Sequence, residues 1–74
     1  MKTYVEILHN VDGENVSTIF EKMKDLGFKP ALGEHDFVFI WKKDVVISEV
    51  ISFLDSVISK LKGTGAILKF TTIR

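Results

Sequence analysis

The sequence predicts a single α+β domain, residues 1–74, with four strands and two helices in the order β-α-β-β-α-β. Three observations carry that prediction. Apolar residues recur at helical spacing in two stretches, 16–26 and 46–61, each followed by a glycine. Stretches rich in β-branched and aromatic residues flank the two helices, one before, two between and one after. A Gly33-Glu34-His35-Asp36 turn joins the middle two into a hairpin.

Lys2 to His9 forms the first strand, with Thr3, Val5 and Ile7 on one face and Tyr4, Glu6 and Leu8 on the other. Asn10 to Gly13 supplies turn chemistry, and Asp12 is the expected N-cap of the first helix. Val16, Ile19, Phe20, Met23 and Leu26 make its apolar stripe. Glu14 is placed in the first turn, and Gly27 is the expected C′ residue. Phe28 to Leu32 is the second strand. Pro30 cannot donate to a ladder, so this strand belongs at an edge.

Phe37 to Lys43 is the third strand, and it is apolar on both faces. Asp44 is the expected cap of a second helix bearing Val46, Ile47, Val50, Ile51, Leu54, Val57, Ile58 and Leu61, closed by Gly63. With Phe53 at one margin, its apolar arc spans roughly 160°, wider than the ~100° of an ordinary surface helix. Gly65 to Ile73 is the last strand, with Ala66, Leu68, Phe70 and Thr72 on one face and Ile67, Lys69, Thr71 and Ile73 on the other.

Right-handed crossovers turn this order into a four-stranded antiparallel sheet with both helices on one face, the ferredoxin-like arrangement. The far face is then bare. Hydrophobic residues make up 46% of the chain, a high share for a small domain, which points to burial by association. The expected interface residues are Tyr4, Phe37, Phe39, Trp41 and Phe53.

Composition narrows the function classes. Without cysteine, disulfides, thiolate metal sites and thiol nucleophiles are excluded. Ten basic residues balance ten acidic ones, so the chain has no bulk electrostatic pull on nucleic acid or anionic membranes. No apolar run spans a membrane and no signal segment opens the chain, so a cytoplasmic protein is expected. His9 and His35, with Asp12 and Asp36, could hold a metal on paper, but loop histidines are ordinarily solvated. No metal, cofactor or catalytic constellation is expected, and the serines of the second helix read as surface residues.

A nucleic-acid reading stands as the alternative. Aromatics on the first and third strands of an RNA-recognition module stack bases on the open face, and Tyr4, Phe37 and Phe39 occupy suggestive positions. The acidic Glu34-His35-Asp36 before the third strand opposes it.

Three stretches resemble the effector-binding (RAM-type) domain of the Lrp/AsnC regulators in its stand-alone form. Gly33-Glu34-His35-Asp36-Phe37-Val38 is similar to the family's Gly-x-Tyr/His-Asp turn. The helix from Val50 to Leu61, leading through Gly63 to a strand, is similar to its second helix and fourth strand. Phe70-Thr71-Thr72-Ile73 resembles its threonine-bearing terminal strand. Pro30 in the second strand and Lys69 in the last are departures from the pattern.

The resemblance implies a homodimer or higher homo-oligomer formed through open sheet faces. It also implies an amino acid, or a similar small effector, bound near Gly33, His35, Asp36, Thr71 and Thr72. A glycine admits close backbone approach, a carboxylate pairs with an α-ammonium, and hydroxyls complete the set. The simpler reading of the same five residues is a turn glycine, an Asx-turn and strand threonines. The expected function is therefore a small regulatory or ligand-sensing module rather than an enzyme.

Overall fold

A computed structural model describes residues 1–10, 12–31, 33 and 36–74. Among the described residues the elements are β1 (Lys2–Leu8), α1 (Val16–Asp25), β2 (Lys29–Pro30), β3 (Phe37–Ile40), α2 (Ile47–Leu61) and β4 (Ile67–Ile73). The strands form one antiparallel sheet in the order β2-β3-β1-β4. This is the ferredoxin-like α+β architecture.

Helix α1 begins later than expected. Asn15, not Asp12, is the N-cap, and no acid stands in the first turn. The cause is local: the Asn10 Oδ1 accepts the Asp12 N–H at 3.0 Å, so Asp12 belongs to a separate turn. The C-terminus follows expectation. Gly27 takes φ +96°, its N–H donates to the Lys24 carbonyl at 2.9 Å, and the Phe28 N–H reaches the Met23 carbonyl at 3.1 Å. Those paired bonds are a Schellman motif.

Helix α2 is capped by the backbone of Val46, while Asp44 stands outside it, 3.8 Å from the Met1 amino group. Gly63 takes the expected left-handed conformation just past the helix. Strand β2 is shorter than expected and carries Pro30 at the sheet edge, where the missing N–H leaves no ladder bond unmade.

The core lies between the sheet and the helices. Val5, Ile19, Met23, Phe28, Phe37, Val57 and Leu61 are its buried members. The register sets Val5 opposite both Phe37 and Phe70, and Thr3 opposite Phe39 and Thr72, so these residues share the inner face.

This parity corrects the interface expected from the sequence. Phe37 is buried, and Phe39, Trp41 and Phe53 form an aromatic cluster with Phe28 on the helix-covered side. Ring centroids are 4.4 Å apart for Phe39–Phe53, 5.0 Å for Phe39–Trp41 and 5.2 Å for Trp41–Phe53. The physical reason is aromatic packing: Phe39 and Trp41 meet the rings of Phe28 and Phe53 on that side, and the Trp41 Nε1–H finds its acceptor in the buried Thr3 hydroxyl.

Candidate functional site

Two features stand out: the uncovered face of the sheet and a small cavity where β1 leaves and β3 enters. On the uncovered face the register builds rows across β3, β1 and β4. Ile40, Lys2 and Ile73 form one row, Val38, Tyr4 and Thr71 the next. Beyond them Glu6 stands beside Lys69, and Leu8 beside Ile67. Leu8, Ile40, Ile67 and Ile73 are each more than half exposed.

Roughly 100 Å² of each of these four side chains meets water, on the order of 400 Å² together. That compares with the apolar share of a standard interface of ~800 Å² per partner. The charge row crossing this grease is internally paired, the Lys69 Nζ lying 3.9 Å from a Glu6 carboxylate oxygen. Of the five residues expected at the interface, Tyr4 alone is on this face. Phe37 and Phe39 point away from it, so two of the three rings a base-stacking platform would need lie on the helix-covered side of the sheet.

The cavity, about 260 Å³, is lined by Ile7, His9, Val16, Ile19, Phe20, Asp36 and Phe37. Among the described residues that line it, five are apolar, and His9 and Asp36 carry polar side chains. Local chain geometry aims Asp36. Its N–H donates to the Val5 carbonyl at 2.9 Å although Phe37 is the residue registered with Val5, so two residues oppose one, as in a β-bulge. An Asp36 carboxylate oxygen then accepts the Ile7 N–H at 2.7 Å, continuing the ladder past the end of β3. The Asx-turn foreseen for Asp36 gives way to a bond across strands.

The sequence-derived ligand residues are not gathered together. Gly33, at φ +93°, is exposed with open space around it, and His35 lies outside the described residues. Thr71 pairs with Tyr4 on the uncovered face, whereas Thr72 turns inward. The Thr72 hydroxyl shares a 2.9 Å hydrogen bond with the buried Thr3 hydroxyl, and the Trp41 Nε1–H donates to that same Thr3 oxygen at 2.8 Å. Thr72 thus belongs to a polar chain that anchors the aromatic cluster.

From the sequence His9 was weighed only as a metal ligand, and Val16 and Phe20 only as members of the apolar stripe of α1, so nothing in the sequence joined them to Asp36. Among the described residues no three His, Asp or Glu side chains could hold a metal ion together. Among them, too, no helix is long and apolar enough to cross a membrane. No family model matches the chain, no curated protein matches it, and no solved structure matches it.

Proposed function

We propose that this chain is a small ligand-sensing module that self-associates through its open sheet face. The observation that carries the reading is the exposed apolar set Leu8, Ile40, Ile67 and Ile73 around Tyr4 and Val38. Burying about 400 Å² of it per copy would contribute roughly 10 kcal/mol gross at 25 cal/mol per Å². Association entropy and side-chain ordering offset much of that. The Glu6–Lys69 row suits a two-fold partner, because an axis running along the strands midway between these two residues sets each acid near the other copy's lysine.

The effector reading rests on the cavity. A carboxylate among its lining residues favours a small primary amine, and the lining by Ile7, Ile19, Phe20 and Phe37 favours an apolar substituent. An apolar α-amino acid meets both requirements at this volume. The role parallels the effector domains of the Lrp/AsnC regulators, and the chain would act by binding rather than by catalysis.

Two measurements test it. Light scattering on the wild type should give a multiple of 8.4 kDa, and Ile40→Lys should lower the mass. Calorimetry against the twenty amino acids should show binding that Asp36→Asn removes. A wild type that remains monomeric removes the first half of the proposal, and twenty flat titrations remove the second.

A further inference from the structure

We infer that the outer edge of β4, with the flank of α2 above it, is a second interface. Its occupant is another copy of this chain, paired β4 to β4 in the antiparallel sense. This surface is separate from the open face, and the inference does not depend on that face being covered.

The two sheet edges differ in how they are guarded. β2 has two residues and carries Pro30, both protections against edge pairing. β4 has seven residues, Ile67 to Ile73, with neither proline nor glycine among them. Its one charge, Lys69, is turned to the open face and paired with Glu6.

Backbone polarity along β4 follows from its neighbours. The Trp41 N–H donates to the Met1 carbonyl and the Asp36 N–H to the Val5 carbonyl, so odd-numbered residues of β1 address β3. Even-numbered ones address β4, where the register pairs them with Ile67, Lys69, Thr71 and Ile73. The N–H and C=O groups of Leu68, Phe70 and Thr72 therefore face outward along the edge.

A two-fold axis through Phe70 matches that edge to itself. Phe70 then exchanges both backbone bonds with its own counterpart, and Leu68 does so with the other copy's Thr72. On the open face Ile67 meets Ile73 and Lys69 meets Thr71, so apolar residues oppose each other and no two lysines do. A shift of register in one direction would oppose Lys69 to Lys69, which selects against it.

The helix layer is prepared for the same partner. Ile47, Ile51 and Ile58 are each more than half exposed and fall within ~40° on the helical wheel. Ile58 shares a groove between α2 and β4 with Leu68 and Phe70. The three isoleucines expose on the order of 300 Å² per copy. With the groove and the paired strands, both copies together pass the ~1,000 Å² that separates specific interfaces from casual contacts. This accounts for an apolar arc on α2 broader than its core contacts require.

The absence of native cysteine makes crosslinking a clean test. Directly opposed residues in a non-hydrogen-bonded pair have Cα atoms ~4.5 Å apart, within disulfide reach, while diagonal neighbours at ~7–8 Å are not. Lys69→Cys and Thr71→Cys are therefore made separately and oxidised alone and as an equal mixture. The mixture should yield a disulfide-linked dimer well in excess of either variant alone. Ile58→Lys, at an exposed site that spares the fold, should lower the solution mass. Crosslinking that persists in an Ile40→Lys background supports this edge whatever becomes of the open face. A mixture that crosslinks no better than its components, with an unchanged mass for Ile58→Lys, overturns the inference.

Discussion

Thr3→Val tests how the third strand is held. Thr3 is fully buried, and its hydroxyl joins the Trp41 Nε1–H at 2.8 Å to the Thr72 hydroxyl at 2.9 Å. Valine keeps the shape and deletes the oxygen, leaving two polar groups without their partner. An unsatisfied buried donor costs about 1–3 kcal/mol. Trp41 is half-buried and Thr72 exposed, so water can relieve part of that, and the expected loss is about 1.5 kcal/mol.

For a domain of this size, ~1.5 kcal/mol lowers Tm by roughly 6–12 °C. Thermal unfolding followed by circular dichroism reads this directly, at one fixed protein concentration because association shifts Tm. The cycle with Trp41→Phe sharpens the result. Phenylalanine has no N–H to satisfy, so Thr3→Val should cost less in that background than in the wild type. A Thr3→Val protein that melts within ~2 °C of the wild type would refute the polar chain. Strict additivity with Trp41→Phe would deny that Thr3 and Trp41 are coupled.

Asp36 separates structure from binding. Asp36→Asn retains an acceptor for the Ile7 N–H and should keep stability close to wild type while abolishing amine binding, whereas Asp36→Ala should also lose about 1 kcal/mol in urea unfolding. Gly27→Ala should cost about 1–2 kcal/mol, because its φ of +96° is left-handed and a Cβ there would lie 3.1 Å from the Phe39 ring; a neutral result would mean that the helix end can rearrange. Leu8→Lys should resemble Ile40→Lys, lowering the solution mass without lowering helix content, since both side chains project from the uncovered face.

Much of the fold was legible because its signals are local and redundant. The α1 stripe, the left-handed glycines at 27 and 63, and the alternation along β4 each specify a face or an end without help from distant residues. The N-caps were not legible in that way. Asp12 is as good a cap as Asn15 by residue type, and what decides is the hydrogen bond that draws Asp12 into the Asn10 turn.

The third strand was ambiguous for a deeper reason. Both of its faces are apolar, so periodicity says nothing about which one is buried. The decision comes from partners far along the chain: Phe53 on α2, Phe28 after α1 and the Thr3 hydroxyl that receives the indole N–H. The Trp41 N–H was itself a clue, since a tryptophan packed against the core calls for an acceptor and Thr3 lies on the helix-facing side of β1. The cavity was hidden likewise, because His9 and Asp36 come to line one space only once β1 and β3 are paired.

If the uncovered sheet face joins copies of the chain, as proposed above, the mass in solution depends on it. Multi-angle light scattering over a range of micromolar concentrations tests it most directly. The wild type should show a mass at least twice 8.4 kDa, and Ile40→Lys a lower mass with its circular dichroism unchanged. A wild-type mass of 8.4 kDa at every concentration would contradict it.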